Sequence, residues 1–580
     1  MGGANRGNSG SRGGPRGDGK KANMEYMTSA EIREKYLSFF EEKGCKRMPS
    51  SSLIPDDPSL LLTSAGMVQF KPYFLQQKHL EAPYIGTTTV QKCVRTNDID
   101  IIGTTGRHLS FFEMLGNFSF GEYFKEEMCA WAYEFSTEVL GLPAERLYFT
   151  VFEDDDETIE IWKKLGVPDS HISRLGEDDN FWRAGPTGPC GPCSELYYDQ
   201  GPEFGCGSPD CAPGCDCDRF LEYWNCVFTQ YDGQEDGTLK PLPKKNIDTG
   251  MGLERIAAIL QGVQSNYETD VLRSLVAVGE RLSGVSYGAD EASDLALRII
   301  ADHSRSVAFM ISDGILPSNE GRGYVLRRLL RRAARHGRKL GIQGEFLANL
   351  SDTVIALSKD GYPELEEKKA MIFKVLSQEE DKFNKTIDQG LAILSDMEEA
   401  MRRENRTALS GADAFKLYDT YGFPLDLTRE ILEEKGLSLD EDGFAACMKE
   451  QKEKERKARK TTNYMGADVT VYQSIDPSIT TEFVGYDRLE HSSPITVLTT
   501  DEEIVEALTD GERGTILVKE TPFYATMGGQ QADTGVIESD HGLFAVEDTI
   551  RLQGGKVGHV GHMVRGMFST GETVTLKVDP

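Results

Sequence analysis

The sequence predicts an α+β protein with a sheet domain, a long helical region and a small β-barrel. Strand-like and helix-like segments alternate irregularly from Leu60 to about Gly262, which is typical of a mixed sheet with flanking helices. From Tyr267 to about Lys460, apolar residues recur at i, i+3 and i+4, which indicates helices. From Val469 to Pro580, short runs rich in Val, Ile and Thr are separated by glycines, which is typical of a barrel. A chain of 580 residues has room for these parts as separate domains.

Composition and charge argue against several classes of protein. No apolar stretch reaches the roughly 18 residues of a transmembrane helix, so we expect no membrane contact. The net charge of −30 argues against a protein that coats nucleic acid without regard to sequence, so any RNA contact requires a local basic patch. Eleven cysteines without a signal-peptide pattern indicate reduced thiols, and we expect a cytoplasmic protein.

The first predicted element of the chain is a tail, and a helix follows it. Residues 1–23 are rich in Gly, Arg and Lys and contain nothing that could pack a core, which predicts disorder; a transit peptide is the alternative. Thr28 and Ser29 then open a helix that ends at Gly44.

The stretch from Lys92 to Phe124 combines two arginines with an aromatic-rich run. A Gly103–Gly106 turn signal separates two strand-like segments, so we predict an antiparallel hairpin with Arg95 and Arg107 on opposite strands. Two guanidinium groups on a rigid sheet suit a polyphosphate, and the aromatic run could stack a base. The alternative is a structural hairpin with solvent-facing arginines.

A second unusual segment, DTGMGLER, extends from Asp248 to Arg255 and is followed by an apolar-periodic helix opening. Gly250 and Gly252 allow a ligand to approach the backbone closely. Glu254 and Arg255 fall where a strand is predicted to lead into a helix.

These segments resemble motifs of a known enzyme family. Arg95, the overlapping patterns Arg107-x-x-x-Phe111 and His108-x-x-x-Phe112, and the Gly-x-Gly-x-Glu-Arg that ends at Arg255 resemble motifs 2 and 3 of class II aminoacyl-tRNA synthetases. TSAGMVQFKPYF is similar to motif 1 of alanyl-tRNA synthetases, and the match to that family continues through nearly all of the chain after about residue 27. The resemblance implies a class II antiparallel sheet with flanking helices, followed by a helical tRNA-recognition domain and a small C-terminal β-barrel.

The resemblance also implies how the domains are divided. We expect a tail at 1–23, the aminoacylation domain at 24–266, the tRNA-recognition domain at 267–465 and, at 466–580, a barrel that starts the editing region. Family members place a zinc-bound His-x-x-x-His after this barrel. No such motif occurs here, so we expect a chain that stops before the editing site, with the zinc of full-length members mainly in the absent domain.

By resemblance, the expected activity is that of an alanine–tRNA ligase: it forms alanyl-adenylate from alanine and ATP and transfers alanine to the 3′ end of tRNA(Ala). Catalysis is expected of Arg95 and Arg255. The expected ATP-binding residues are Arg95, Arg107, Phe112, Glu113, Met114, Gly252 and Arg255. The expected alanine-binding residues are Met67, Trp182, Asn225, Asp248 and Gly250. Mg²⁺ would bridge the phosphates, with Glu113, Glu195 or Glu254 as the nearest candidates to hold it.

The predicted tRNA contact is the acceptor stem. Asn319 and Asp419 match the family positions that read a G·U pair, and the alternatives are a helix N-cap for Asn319 and a turn for Asp419. One helix concentrates positive charge, which favours contact with an RNA backbone through residues such as Arg322, Arg327 and Arg331. We expect about half of its cations to pair with acids instead. Its cations are Arg322, Arg327, Arg328, Arg331, Arg332, Arg335, Arg338 and Lys339.

Two further segments have open interpretations. Cys206, Cys211, Cys215 and Cys217 could bind zinc tetrahedrally, but their spacing is not that of a standard zinc ribbon or finger, and a Gly/Pro-rich loop of reduced cysteines is the alternative. The charged run from Gln451 to Lys460 is predicted to be a linker or a helix end.

Two other functions compete with the ligase. A non-catalytic tRNA-binding relative would not need both Arg95 and Arg255, which are present. A free-standing hydrolase of misacylated tRNA rests only on the segment TPFYATMGGQQADTG in the predicted barrel, and the intact activation motifs argue against it.

Overall fold

A computed structural model describes residues 24–465, 470–501, 503–525 and 532–580. The predicted tail at 1–23 lies outside the described residues, as does part of the barrel segment on which the hydrolase alternative rests. The chain divides into two compact units. Unit 1 comprises the described part of Met1–Met48, Phe70–Val90 and Leu115–Val263, and unit 2 comprises Pro49–Gln69, Gln91–Met114 and Gln264–Pro580.

These units differ from the domain boundaries expected from the sequence. Two segments inside the expected aminoacylation domain, Pro49–Gln69 and Gln91–Met114, belong to unit 2 together with the helical region and the barrel. Each segment contributes to a core that is built mainly by later helices: Leu53, Val94 and Phe111 belong to the same buried cluster as Leu297 and Phe309. The functional division at residues 266 and 465 stays a prediction.

Unit 1 is built on a nine-stranded sheet in which most neighbouring strands are antiparallel. The strand order is β1-β2-β3-β9-β8-β7-β4-β5, and β6 pairs with β7. The strands are β1 (Cys45–Arg47), β2 (Gly86–Val94), β3 (Phe111–Phe120), β4 (Leu147–Phe152), β5 (Ile172–Leu175), β6 (Phe181–Arg183), β7 (Gly188–Asp199), β8 (Phe220–Gly233) and β9 (Leu239–Gly252). The flanking helices are α1 (Ser29–Glu42), α2 (Lys71–Phe74), α3 (Lys125–Glu134), α4 (Asp156–Lys164), α5 (Glu177–Asn180) and α6 (Leu253–Gln261). The predicted α+β sheet with flanking helices is confirmed.

The first helix follows its sequence signals. Thr28 caps α1 in a capping box with Glu31, and Gly44, with φ of 101°, follows its end. The buried face of α1 packs on the sheet, where the Tyr36 hydroxyl donates a 2.9 Å hydrogen bond to Asn117 Oδ1. Thr249 in β9 donates to the same Asn117 oxygen at 2.6 Å, so α1, β3 and β9 share one buried polar contact.

The predicted hairpin between Lys92 and Phe124 is wrong in its detail. β2 ends at Val94 and β3 begins at Phe111, so Arg95 and Arg107 both lie in the long connection and not on opposite strands. The connection contains a 3₁₀ turn at Ile99–Ile101 before the glycines that suggested a tight turn. Its ends are held together because the Arg95 amide donates to the Ser110 carbonyl at 2.9 Å.

The first part of unit 2 is helical, as predicted. Its helices are α7 (Asp270–Ser283), α8 (Glu291–Ser312), α9 (Gly321–Lys339), α10 (Leu347–Ser358), α11 (Glu364–Glu367), α12 (Lys369–Arg403), α13 (Gly411–Tyr421), α14 (Leu425–Glu433), α15 (Glu441–Met465) and α16 (Thr470–Gln473). Two short strands, β10 (Ala408–Leu409) and β11 (Ser438–Leu439), pair in parallel. The charged run from Gln451 to Lys460, predicted to be a linker or helix end, lies inside α15.

The C-terminal part of unit 2 forms the predicted barrel. Six strands close in the order β13-β16-β20-β19-β18-β21, and β21 pairs back to β13. The strands of this region are β12 (Glu482–Phe483), β13 (Glu490–Thr499), β14 (Ile504–Val505), β15 (Ala507–Thr509), β16 (Arg513–Val518), β17 (Glu520–Thr521), β18 (Gly535–Ser539), β19 (Gly542–Leu552), β20 (Lys556–Ser569) and β21 (Thr573–Val578). Leu498, Ile516, Phe544 and Met563 fill the interior. Among the described helices, none is long and apolar enough to cross a membrane.

Candidate active site

The candidate site in unit 1 lies on one face of the three strands β7, β8 and β9. The strand register places Glu195 opposite Asn225 and Asn225 opposite Gly250. In the next row, Val227 is opposite Asp248. Directly paired residues, and residues two apart on one strand, point to the same side of a sheet, so these side chains share a face. Three of the predicted site residues therefore come together with Glu195, one of the candidates for magnesium.

Asp248 is a buried carboxyl group to which no described residue supplies a counter-charge. It is 6% exposed, and burial raises its pKa to about 7. No hydrogen bond or ion pair to the Asp248 carboxylate comes from any described residue. Burial of an unpaired carboxylate is costly, so this position is suited to a cationic ligand that replaces the missing partner.

A second acceptor on this face also lacks a partner. The Asn225 Oδ1 atom is buried and accepts no hydrogen bond from the described part of the chain. Buried polar side-chain atoms are normally hydrogen-bonded, so this orphaned oxygen, on the same strand face as Asp248, points to a donor that a ligand supplies. Trp182 in β6 pairs with Gly191 in β7 at the edge of the same region and is half-buried.

A charged group next to the row of Asn225 and Gly250 consists of Glu195, Glu222 and Arg255. Burial, followed by the nearby Glu222, raises the pKa of Glu195 to about 9. The Tyr197 hydroxyl donates to Glu195 Oε2 at 2.5 Å. The Arg255 Nη1 atom donates to the Glu222 carbonyl oxygen at 3.1 Å and lies 3.8 Å from Glu222 Oε2. Glu222 is a residue that the sequence analysis missed, because no motif contains it.

The predicted change from strand to helix at DTGMGLER is confirmed. β9 ends at Gly252, and α6 begins at Leu253 with Glu254 in its first turn. The helix start presents Arg255 half-buried, whereas Glu254 is 6% exposed. A Cβ atom added at Gly252 would lie 3.6 Å from the Arg255 side chain, which is an ordinary van der Waals contact.

The site residues of unit 2 lie at the end of β2 and the start of β3. Arg95 is exposed; its Nε atom donates to the Ser64 carbonyl at 3.1 Å, and its guanidinium lies 5.0 Å from the Phe112 ring centre. The Gly66 amide donates to Met114 Sδ at 3.4 Å, beside the buried Met67. Phe112 and Met114 alternate along β3 and therefore share a face.

Glu113 points to the opposite face of β3 and is not brought together with Phe112. It is 3% exposed, it accepts a 2.9 Å hydrogen bond from the Tyr362 hydroxyl, and Arg305 Nη2 lies 3.3 Å from it. These contacts make Glu113 part of the helical core of unit 2. Arg107 is half-buried in the β2–β3 connection, where its carbonyl accepts from Asn266 at 3.2 Å.

Comparison with known proteins identifies the family. The family model described as tRNA synthetases class II (A) matches residues 31–580. The chain belongs to this family. Among its relatives, "Alanine--tRNA ligase 1" of Lachnoclostridium phytofermentans is 58% identical over 553 residues, which cover 95% of this chain and 62% of that protein. "Alanine--tRNA ligase" of Thermoanaerobacter sp. is 50% identical over 558 residues, which cover 96% of this chain and 63% of that protein. The chain thus spans less than two thirds of the length of these relatives.

In this class II synthetase chain, the cationic helix α9 is far more heavily paired than expected. About half of its eight cations were expected to pair with acids, and all eight do so. Arg331 is 3% exposed and lies 2.8 Å from Glu379, and its Nη1 also donates to the Gly422 carbonyl. Arg322 pairs with Asp510. The acids come from distant segments, which is why the sequence of α9 alone suggested a one-sign surface.

The two residues expected to read the G·U pair are both exposed in unit 2. Asn319 precedes Glu320, the N-cap position of α9, and its Oδ1 accepts from Arg327 Nη1 at 2.5 Å, so the N-cap alternative is wrong. Asp419 lies within α13, so the turn alternative is wrong as well. Asn319, Arg322 and Arg327 line a cleft of about 1600 Å³ within unit 2, along which acidic side chains outnumber basic ones.

The four cysteines singled out in the sequence come together in unit 1 of the synthetase chain. Their Sγ atoms all lie within 4.8 Å of one another. Cys206 Sγ lies 3.8 Å from Cys215 Sγ, and Cys211 Sγ lies 3.4 Å from Cys217 Sγ. All four are free thiols.

Proposed function

We propose that the chain activates alanine with ATP and transfers it to a tRNA. The observation that carries this proposal is the buried Asp248 carboxylate, which has no partner among the described residues, with the orphaned Asn225 Oδ1 on the same strand face. Two acceptors without a donor favour a ligand that brings several N–H groups and a positive charge, as the α-ammonium of an amino acid does. The relatives named alanine–tRNA ligase support alanine as that amino acid.

We assign selection of the amino acid by size to the residues around Asp248 and Asn225. Trp182, Asn225 and Gly250 would limit the space beside the α-carbon, and Met67 joins them by family resemblance. A methyl-sized difference in binding is worth only about 1 to 3 kcal/mol, so such a pocket discriminates weakly against glycine. Serine adds one hydroxyl group, for which the Asn225 oxygen offers an acceptor.

ATP is assigned to the arginines and to the aromatic face of β3. By family resemblance, Arg95 would bind the α-phosphate and the amino-acid carboxylate, and Arg255 the far phosphates and one face of the adenine. Phe112, beside Met114, would cover the other face. Arg107 and Gly252 complete the set by family resemblance. The attacking carboxylate is already ionised at neutral pH, so the reaction needs no general base. Catalysis then rests on positioning and on the fixed positive charges that stabilise the charge developing on phosphorus and pyrophosphate.

Magnesium fits the acidic pair in unit 1. Glu195 and Glu222 lie close enough for one carboxylate to raise the pKa of the other, and such a pair of oxygen donors suits a hard divalent cation. We assign Glu195 and Glu222 to hold Mg²⁺, which neutralises phosphate charge when it is bound. Glu113 is left out because it points to the opposite face of β3, where Tyr362 and Arg305 engage it, whereas Glu254 stays a candidate by family resemblance.

For the tRNA acceptor stem, we propose Asn319, Arg322, Arg327 and Asp419. Asn319 and Asp419 are exposed and carry groups able to read base edges in the shallow groove of an RNA helix. Arg331 is withdrawn from this set, because its burial and its bonds to Glu379 and Gly422 make it a structural residue.

The test is alanine-dependent exchange of pyrophosphate into ATP without tRNA. We expect exchange by the 580-residue chain and a large loss in Arg95→Ala and Arg255→Ala, with kcat and kcat/KM falling together because these arginines act on developing charge. Absence of exchange, or equal rates in the chain and the arginine variants, would overturn the proposal.

A further inference from the structure

The connection between β7 and β8 in unit 1 holds four thiols in a space that apolar packing does not explain. Within residues 205–219, Pro213 is the single buried residue, and Cys206 and Cys215 are exposed. Cysteine is among the most often buried residue types, so two exposed and two half-buried thiols that converge on one point need another reason. A loop with so little apolar contact also lacks the usual means of holding one conformation.

The distances between the thiols match a single metal ion. In a tetrahedral zinc site with Zn–S bonds of about 2.3 Å, neighbouring sulfurs lie about 3.8 Å apart. Two of the pairs here, Cys206–Cys215 and Cys211–Cys217, have Sγ atoms 3.8 Å and 3.4 Å apart, and no pair exceeds 4.8 Å. A disulfide would need sulfurs about 2.05 Å apart, and all four cysteines are free.

The backbone around the thiols is arranged as a support for bound sulfur. Gly207 and Gly214 adopt φ of 77° and 95°, which turns the chain sharply next to Cys206 and Cys215. These turns lie beside the two cysteines whose Sγ atoms are 3.8 Å apart.

Both ends of the loop are fixed to the sheet. The Arg219 guanidinium pairs with Asp199 at 2.9 Å, and the Gln200 amide donates to the Arg219 carbonyl at 2.8 Å. At the far side, a Cβ atom on Gly214 would lie 3.1 Å from the Leu175 side chain, so the loop packs closely against β5. The loop is thus anchored at its two ends and at Gly214, and its interior is left to the thiols.

We propose that Cys206, Cys211, Cys215 and Cys217 bind one structural zinc ion that holds the β7–β8 connection in a single conformation. Four sulfur ligands complete the tetrahedral coordination of zinc and leave no position for a substrate, so the ion has no part in the activation chemistry. Binding releases the protons of the thiols that are still protonated, and no oxidation or reduction takes place. The site is independent of the proposed ligase activity.

The test is the metal content of the whole chain, purified under reducing conditions and dialysed against a weak chelator. We expect about one zinc per chain. The control Cys447→Ser, which removes a half-buried cysteine outside the cluster, should keep this zinc content. In Cys211→Ser and in Cys217→Ser, the zinc content should fall at least tenfold. Zinc that persists in the double variant Cys211→Ser/Cys217→Ser, or zinc absent from chain made in zinc-supplemented cells, would overturn the proposal. Iron in place of zinc would overturn it too.

A second measurement does not depend on the folding of the variants. Zinc displaced from the unmutated chain by a mercurial reagent should leave in step with the titration of four thiols, and Co²⁺ added back should give the intense visible bands of tetrahedral thiolate coordination. Zinc release that does not follow the titration of the thiols would contradict a metal site. Disulfide-linked peptides joining Cys206 to Cys215 and Cys211 to Cys217, found in a digest without reductant, would contradict it too.

Discussion

The unpaired charge of Asp248 has consequences for stability as well as for binding. Burial raises its pKa from 3.8 to about 7, so between these values the folded chain keeps a proton that the unfolded chain releases. The free energy of unfolding contributed by this group therefore falls as pH rises through that window and stays low above pH 7. In the free protein, the buried Asp248 carboxylate lowers the free energy of unfolding, and the proposed ammonium ligand would offset this loss.

Asp248→Asn should accordingly stabilise the free chain while it abolishes alanine activation. The expected gain in the free energy of unfolding is at most about 4 kcal/mol at pH 8 and smaller at pH 5, from about 1.4 kcal/mol per pKa unit. Denaturant unfolding at the two pH values measures it. Asp236→Asn, at the exposed turn between β8 and β9, is the matched control and should change little. A loss of stability in Asp248→Asn at pH 8 would mean that the carboxylate has a stabilising partner.

Glu222 is the second residue for which we predict a change, and no sequence motif contains it. If Glu195 and Glu222 hold magnesium together, Glu222→Gln should raise the Mg²⁺ concentration for half-maximal pyrophosphate exchange by about tenfold or more, equivalent to about 1.4 kcal/mol. Titrating Mg²⁺ at saturating alanine tests this. The exposed Glu235, in the β8–β9 turn, provides the control variant Glu235→Gln. An unchanged magnesium requirement would remove Glu222 from the site.

At the scale of elements, the pairing of α9 with α12 depends on a buried ion pair. Arg331 and Glu379 have side chains that are 4% and 7% exposed, and Arg327 lies 2.8 Å from the same carboxylate. Glu379→Ala would leave the buried Arg331 guanidinium without a carboxylate, which costs about 3 to 5 kcal/mol, whereas Arg331→Ala leaves Glu379 paired with Arg327. Burial on this scale gives α9 a structural function that its sequence does not reveal.

We therefore expect Glu379→Ala to destabilise unit 2 by about 3 kcal/mol, with Arg331→Ala/Glu379→Ala costing less than the sum of the single changes. Arg403→Ala, which breaks an exposed pair with Glu399, should cost no more than about 0.5 kcal/mol. Denaturant unfolding of the four variants gives the coupling energy. Additive costs would show that Arg331 is not held by Glu379.

The elements differ in how far the sequence determines them. The change from β9 to α6 was predictable, because Gly252 precedes an uninterrupted apolar helix pattern. The Gly103–Gly106 segment was misread as a hairpin turn, because the same glycines also suit a longer connection in which the Ile99–Ile101 turn packs into unit 2.

Candidate site residues inside a motif could be found from the sequence, whereas those defined by strand register could not. Asp248 and Arg255 belong to one continuous segment, and their family resemblance is visible at once. Glu222 belongs to none, and only the pairing of β8 with β7 places it near Glu195. The partners of α9 were hidden for a similar reason: Glu379, Glu430 and Glu434 lie far from α9 along the chain.

At the scale of the whole molecule, activation and tRNA recognition are assigned to different residues and should be separable. Asn319→Ala and Asp419→Ala are expected to leave tRNA-independent exchange within about twofold of the unmutated chain. Charging of a G·U acceptor stem relative to a G·C stem should fall about tenfold, the effect of one hydrogen bond of about 1.4 kcal/mol. Parallel charging assays on the two stems measure it. Equal losses of exchange and charging would contradict the separation.

The measurement that tests the central claim most directly is pyrophosphate exchange with alanine, glycine, serine and a larger amino acid such as leucine, by the 580-residue chain and by Asp248→Asn. We predict the highest kcat/KM for alanine, with glycine lower by roughly 10- to 200-fold, serine detectable and leucine inactive. Asp248→Asn should lose exchange with every amino acid, because all of them present the same ammonium group. Exchange that does not depend on alanine would contradict the account. So would equal exchange rates in the unmutated chain, in Asp248→Asn and in the Asp236→Asn control.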